Sequence, residues 1–258
     1  MSKGKKLTPI QKKELDKKAE KYAIEFRKKL NLGDEPITDI FSLDFTKEFL
    51  LLKFPNEMNI SGAYIEKTGR EKPYKCIYIN TNEPLGRQSF SFAHELYHAL
   101  YEKSNDVLSV TNASQYDSIE YCADRFASYF LIPRNHLKKE LIKIKYKRDK
   151  YNISYNQLFE LQKKYRVSFM AIVYTIAQLD DKSLIPKNIN QHFMKYKYEK
   201  YWRDLENRTL EHDINNKLNS VNPVFEWPKE FKENIEKNLS EGLVSHEDVE
   251  DIYDFFEM

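Results

Sequence analysis

The sequence predicts an α+β protein that consists of a small sheet and many helices. Three short runs between residues 49 and 80 are rich in β-branched and aromatic residues and are separated by Pro, Asn and Gly, which is typical of strands. The segments on both sides of these runs repeat apolar residues at helical spacing. Charged residues make up 32% of the chain, which has only six glycines, and this composition favours long solvated helices over an all-β fold.

The first elements are a helix and three strands. Apolar residues recur near the helical period from Pro9 to Leu30, where Asn31–Gly33 forms a stop, and a short helical stretch is expected at residues 39–48. The strands are "FLLLKF", "ISGAYIEK" and "KCIYIN", which predict a small sheet with antiparallel members. The stretch "TNEPLGRQ" predicts a loop because it combines Pro and Gly.

The rest of the chain predicts helices. The stretch "SFSFAHELYHALYE", residues 89–102, begins a helix of about four turns, which the loop "KSNDVLSVTNASQ" ends. A second helix begins near residues 114–118 and runs to Ile132, because Pro133 cannot continue it. Helices are expected from there to the C-terminus, with a break near Val167 and Ser168.

Cysteine content and hydropathy exclude several classes of protein. The two cysteines, Cys76 and Cys122, have no metal-ligand spacing, which excludes a disulfide framework and a cysteine zinc site. No run approaches the roughly 20 apolar residues that span a bilayer, and the basic N-terminus is not followed by an apolar segment. A cytoplasmic protein without a membrane partner is therefore expected.

The stretch "HELYH" places His94 and His98 four residues apart. On a helix these residues share one face, so both imidazoles can point at one zinc ion about 2.0–2.1 Å away. Glu95 lies about a hundred degrees around the helix and can reach a water beside the ion without being a ligand. Catalytic zinc needs a third protein ligand, and Tyr101 and Ser104 stand where an extended motif would have Gly and a third His.

A second stretch, "SIEYCADRFASYFLIP", contains a candidate for the third ligand. Glu120 and Asp124 lie four residues apart in a mostly apolar helix, where an unpaired carboxylate would be costly. If the two helices pack together, Glu120 completes a His–His–Glu site and Asp124 accepts the outer N–H of a ligating histidine, for which His94 is expected. Each pair alone is explained by half-buried histidines or a salt-bridged helix face, but the combination with Glu95 favours a metal site.

With these motifs the chain resembles the ImmA/IrrE family of zincin-like proteins. The resemblance rests on the N-terminal helix, on "NISGAYIEK…KCIYINTNEPLGRQSFSFAHELYHAL" and on "EYCADRFASYFLIP", and it covers about residues 10–185. It implies a zincin-like metallopeptidase core with one Zn²⁺ per chain. The implied metal ligands are His94, His98 and Glu120, the implied general base is Glu95, and Asp124 lies behind a ligand, at a position where many members have Asn.

The resemblance also implies a function and a partner. The resemblance implies action on helix-turn-helix repressors of mobile elements or stress responses. It also implies that some members of the family regulate without proteolysis. We therefore expect a gluzincin-like zinc endopeptidase that cleaves one specific intracellular protein, with such a repressor as the substrate. The alternative is a non-proteolytic metal-binding regulator or sensor that binds a repressor or DNA.

Substrate binding is predicted less specifically. Substrates of such sites commonly pair with an exposed sheet edge, and "ISGAYIEK" is the candidate edge, although a plain edge strand fits equally well. Within it Gly62, followed by Ala63 and Tyr64, would allow close backbone approach. An oxyanion stabiliser is also expected. Five tyrosines remain open for that role: Tyr64, Tyr97, Tyr116, Tyr121 and Tyr129.

Three units are predicted along the chain. Residues 1–135 form the zincin-like catalytic domain, residues 136–186 a helical, helix-turn-helix-like segment, and residues 187–258 a helical C-terminal region for recognition or gating. The acidic end "EGLVSHEDVEDIYDFFEM" suits a basic DNA-binding partner. The stretch "HFMKYKYEKYWR" mixes basic and aromatic residues as nucleic-acid binders do. An amphipathic helix explains it more simply, with Met194, Tyr198, Tyr201 and Leu205 inward, and this favours a protein that does not bind DNA directly.

Overall fold

The computed structural model describes residues 7–67, 74–102, 108–110, 118–145, 151–209 and 217–256. The fold is α+β, as predicted, with a small sheet packed against helices. The α-helices of this part of the chain are α1 (Pro9–Lys29), α2 (Leu85–Tyr101), α3 (Ser118–Leu131), α4 (Arg134–Lys145), α5 (Tyr155–Tyr165), α6 (Phe169–Ala177), α7 (Trp202–Thr209), α8 (Lys229–Ser240) and α9 (His246–Phe256). The strands are β1 (Leu50–Phe54), β2 (Gly62–Lys67), β3 (Tyr74–Asn80) and β4 (Leu108–Val110).

The sheet has the strand order β1-β3-β2-β4. β1 runs parallel to β3, whereas β2 is antiparallel to both β3 and β4, so the predicted antiparallel members are confirmed. The loop prediction is wrong for β4, because a three-residue strand is too short to show an alternating pattern in the sequence.

The helix α2 begins earlier than the sequence predicts. It starts at Leu85, inside the predicted loop, directly after Pro84, a residue that helices tolerate at their first turn because no N–H is needed there. Gly86 lies in this first turn. A Cβ at that position would be 2.5 Å from the backbone N of Ser168 and 2.8 Å from the backbone O of Leu218. The glycine therefore permits close packing and does not form a turn.

The helix α3 packs against both α1 and α2. Ala19 and Ala23 of α1 are fully buried, and their small side chains let the helices approach closely. An ion pair between Asp16 of α1 and Arg125 of α3 adds a polar contact. The end of α3 at Leu131 confirms the predicted stop before Pro133, and this packing fixes the position of α3 relative to α2.

One hydrophobic cluster contains buried residues from Ala19 to Leu205 and so includes side chains from all three predicted units. The division of the chain at residues 135 and 186 stays a prediction. The predicted break between α5 and α6 is confirmed, with Arg166 in the left-handed region at φ 54°. Helix α6 buries most of its side chains and carries no charge, so it packs into the core. The helix-turn-helix-like character of residues 136–186 stays a prediction.

The segment before α7 differs from the predicted amphipathic helix. Residues 189–201 form successive π and 3-10 turns. These turns bury Tyr196, whereas Tyr198 is exposed, so the predicted inward position of Tyr198 is wrong. Leu205 is buried as predicted, and Met194 and Tyr201 are half-buried. None of the helices in the described ranges combines the length and apolar character needed to cross a membrane.

The C-terminal segment covers the outer edge of β1. Lys53 and Glu226 form an antiparallel bridge with backbone N–O distances of 2.8 and 2.7 Å, and their side chains form an ion pair of 2.5 Å. The Thr81 hydroxyl donates to the carbonyl of Val224. Phe255 packs edge-on against Phe54. The irregular stretch of residues 220–228 is thus an added edge partner of the sheet.

Candidate metal centre

The helix α2 places three polar side chains in the interior of the protein. His94, Glu95 and His98 are 3%, 0% and 1% exposed. Apolar residues of α2 such as Phe92 and Leu96 are fully buried as well, so α2 is surrounded by protein along this stretch. Buried histidine and glutamate side chains need polar partners, and α3 supplies carboxylates directly opposite.

His94, His98 and Glu120 converge on one point. The two Nε2 atoms lie 3.2 Å apart, and the Glu120 oxygens lie 3.3 Å from Nε2 of His94 and 3.6 Å from Nε2 of His98. Ligands of a tetrahedral zinc ion with bonds of about 2.0–2.1 Å are about 3.3–3.4 Å apart. The observed spacing fits that geometry, and these three residues could hold a metal ion.

The outer nitrogens of both histidines face carboxylates. Nδ1 of His94 donates to Asp124 over 2.9 Å, and Nδ1 of His98 donates to Glu102 over 2.6 Å. The structure thus brings Asp124 to the histidine expected from the sequence. With Nδ1 as the donor, a neutral imidazole has its lone pair on Nε2, so two lone pairs and a carboxylate face one another. A proton on His94 or a metal ion between the three groups reconciles these acceptors.

Glu102 is the residue that sequence reasoning missed. It follows His98 by four residues and caps the C-terminal end of α2, where a glutamate reads as a solvated helix end. Glu102 follows His98 by four residues, the same spacing that pairs His94 with His98, and this spacing was the signal in the sequence.

The charges around His94 favour a cation. Burial by itself lowers the pKa of His94, but its hydrogen bonds to Asp124 and Glu120 outweigh burial and raise the pKa from 6.5 to about 10. The charge of Glu95 acts in the same direction. An environment that stabilises a proton on this ring also stabilises a metal ion in front of it.

Glu95 packs against Gly62 of β2. A Cβ at Gly62 would lie 3.2 Å from Cγ of Glu95 and from the carbonyl oxygen of Tyr78. The glycine therefore gives the Glu95 side chain its space. This role differs from the predicted one, which was to admit a substrate backbone.

The expectation that β2 is an exposed sheet edge is wrong. Between Ala63 and Ile65 its backbone pairs with β3 on one side and with β4 on the other, so β4 forms the end of the sheet. Tyr64 is fully buried, and its hydroxyl donates to Glu66. Because β2 is not the edge of the sheet, a substrate cannot pair with it in the predicted way. Substrate contact by Gly62, Ala63 and Tyr64 stays a prediction.

The five candidate tyrosines have different surroundings. Tyr64 and Tyr97 are buried, the second among Tyr22, Tyr101 and Phe126. Tyr121 faces Lys12 of α1, and Tyr129 lies between Arg125 and Arg134. Tyr116 lies outside the described residues. The core positions of Tyr64 and Tyr97 argue against a role in oxyanion binding.

The comparison with protein families agrees with this site. Residues 50–177 match the family model Peptidase_M78, described as the IrrE N-terminal-like domain. No curated protein matches the sequence at a significant level. The matched range covers about half of the chain and includes His94, Glu95, His98, Glu120 and Asp124. Residues 50–177 of this chain therefore belong to the Peptidase_M78 family, the family of the IrrE N-terminal-like domain.

Proposed function

We propose that the protein is a zinc-dependent endopeptidase that cleaves a specific intracellular protein. The observation that carries the proposal is the convergence of His94, His98 and Glu120 at distances of 3.2–3.6 Å, next to the buried Glu95. Membership of a peptidase family supports the same reaction class. Two imidazoles and one carboxylate are a donor set of catalytic zinc, in which a fourth position stays open.

The residues around the site have separate roles in this reaction. A zinc ion held there would act as a Lewis acid that polarises a peptide carbonyl and acidifies water. Glu95 accepts a proton from the attacking water and returns it to the leaving amine. Asp124 and Glu102 hold the rings of His94 and His98 in place through their Nδ1 atoms.

We propose a helix-turn-helix repressor of a mobile element or stress response as the substrate. The support comes from charge on α9, where acidic side chains face solvent and would attract a basic DNA-binding protein. These exposed residues are Glu247, Asp248, Glu250, Asp251 and Asp254. In this proposal the region 187–258 recognises the partner, and the metal centre cuts it.

The test combines the purified protein with the helix-turn-helix repressor encoded nearest to it. Mass spectrometry should find cleavage at one or a few peptide bonds, with no cleavage by the Glu95→Gln variant. An intact repressor that is bound by the zinc-loaded wild type under activating conditions would contradict proteolysis. That result would favour the non-proteolytic regulator. Duplex DNA binding that survives removal of the metal and weakens with salt would favour a DNA-binding regulator.

A further inference from the structure

The two histidines of the metal centre differ in the origin of their outer partners. Asp124, the partner of His94, belongs to α3 and reaches across from another helix. Glu102, the partner of His98, belongs to the end of α2 itself. The position of the His98 ring is therefore linked to the last turn of its own helix.

The contact between Glu102 and His98 is short, and its histidine side is buried. The carboxylate oxygen lies 2.6 Å from Nδ1, the His98 side chain is 1% exposed, and that of Glu102 is 27% exposed. A charged acceptor at this distance makes a stronger hydrogen bond than a neutral one. The backbone N–H of Glu102 also bonds to the carbonyl of His98, so main chain and side chain both connect these residues.

We propose that Glu102 is the positioning residue of His98. By accepting the Nδ1 proton, it leaves the lone pair on Nε2 and holds that atom 3.2 Å from Nε2 of His94 and 3.6 Å from Glu120. Without it the ring can rotate or carry its proton on Nε2, and either change removes a ligand from the site. The inference rests on the metal centre of the proposed function but not on proteolysis.

Zinc affinity tests this role directly. We expect Glu102→Ala to weaken zinc binding about 10–100-fold in competition with a fluorescent chelator, the range typical for the loss of an outer partner. Glu102→Gln keeps an oxygen acceptor without the charge, and its loss should be smaller. Glu241→Ala is the matched control, because Glu241 also caps the C-terminal end of a helix and lies four residues after its partner, Lys237, but belongs to α8.

Proton NMR of the zinc-loaded protein separates positioning from a merely structural effect. We expect slowly exchanging downfield Nδ1–H signals from both histidines in the wild type and in Glu241→Ala. In Glu102→Ala the His98 signal should disappear, while the His94 signal, held by Asp124, remains and reports an intact fold.

The inference would be overturned by an unchanged zinc affinity and an unchanged His98 signal in Glu102→Ala. It would also be overturned if Glu102→Gln lost as much affinity as Glu102→Ala while melting at the wild-type temperature, because the oxygen acceptor would then have no effect. A wild-type protein that binds no zinc would refute the metal centre itself. A wild type that binds zinc but cuts nothing would refute only proteolysis.

Discussion

Gly62 of β2 lies against Glu95 of α2 so closely that a methyl group at Gly62 would be 3.2 Å from Cγ and 3.4 Å from Oε1 of the glutamate. The carbonyl of Tyr78 bounds the same space from the backbone side at 3.2 Å. The sheet therefore determines where the proposed general base can lie. Its influence on the reaction can be tested by adding a single carbon.

We expect Gly62→Ala to displace Glu95 and to lower kcat at least about tenfold, because small shifts of a catalytic group have large effects on rate. Overpacking should also destabilise the fold by about 1–3 kcal/mol, as thermal unfolding will show. Zinc content should stay at the wild-type level. Gly33→Ala is the control: alanine at φ +53° is strained and should lower stability, but no atom lies within 4 Å of the added Cβ, so Glu95 is not displaced. An equal loss of kcat in both variants would contradict the specific effect.

We expect His98→Ala to lower zinc affinity more than about 100-fold, above the 10–100-fold range for an outer partner, because a direct ligand is lost. The measurement is metal analysis after dialysis against a weak chelator. Added zinc should raise the Tm of the wild type and leave that of the variant unchanged. His246→Ala, at the exposed start of α9, is the control. Wild-type metal content in His98→Ala, or less than about half an equivalent of zinc in the reconstituted wild type, would count against the site.

We expect Glu95→Gln to keep the fold and the zinc but to lower kcat about 10²–10⁴-fold, because an amide cannot accept the proton of the attacking water. Repressor cleavage and metal content should be measured on the same preparation. The non-proteolytic alternative predicts a different result, in which the biological output survives Glu95→Gln and is lost in His94→Ala.

We expect Glu226→Gln to destabilise the protein by about 1–3 kcal/mol, because the mostly buried ammonium of Lys53 loses its charged partner. Lys53 also lies over the ring of Phe41, at 4.5 Å, and is only 7% exposed. Chemical denaturation measures the difference. Glu236→Gln, exposed on α8, should change stability by less than about 0.5 kcal/mol. Equal effects of the two substitutions would show that the ion pair does not hold the C-terminal segment.

The elements that carry the metal centre could be predicted because their signals are local. Spacings of four place His94 with His98 and Glu120 with Asp124 on single helix faces, and a buried carboxylate in an apolar helix requires a partner. Only the docking of α3 on α2 had to be assumed, and the structure contains it.

The features that the sequence did not reveal depend on contacts between distant segments. The place of β2 inside the sheet depends on β4, whose three residues lie more than 40 positions later. Gly86 reads as a turn residue unless Leu218 is known to pack on it. Glu102 reads as a solvated helix end unless the depth of His98 is known. In each case the role of the residue or strand depends on a tertiary contact that the local sequence does not contain.

The contact of the C-terminal segment with β1 also implies an order in which parts of the fold form during synthesis. Strand β1 obtains its second neighbour from Glu226, 173 positions later, and the first turn of α2 obtains Leu218 as a neighbour at Gly86. Contacts of such long range form late, because the intervening chain must be made and its ends brought together. We expect a nascent chain that stops before residue 217 to carry all its metal-binding side chains, while the start of their helix is covered at Gly86 by residues 167–168 but still lacks Leu218. The contacts of Leu218 with the start of α2 and of Glu226 with β1 would thus form only after this segment has been translated.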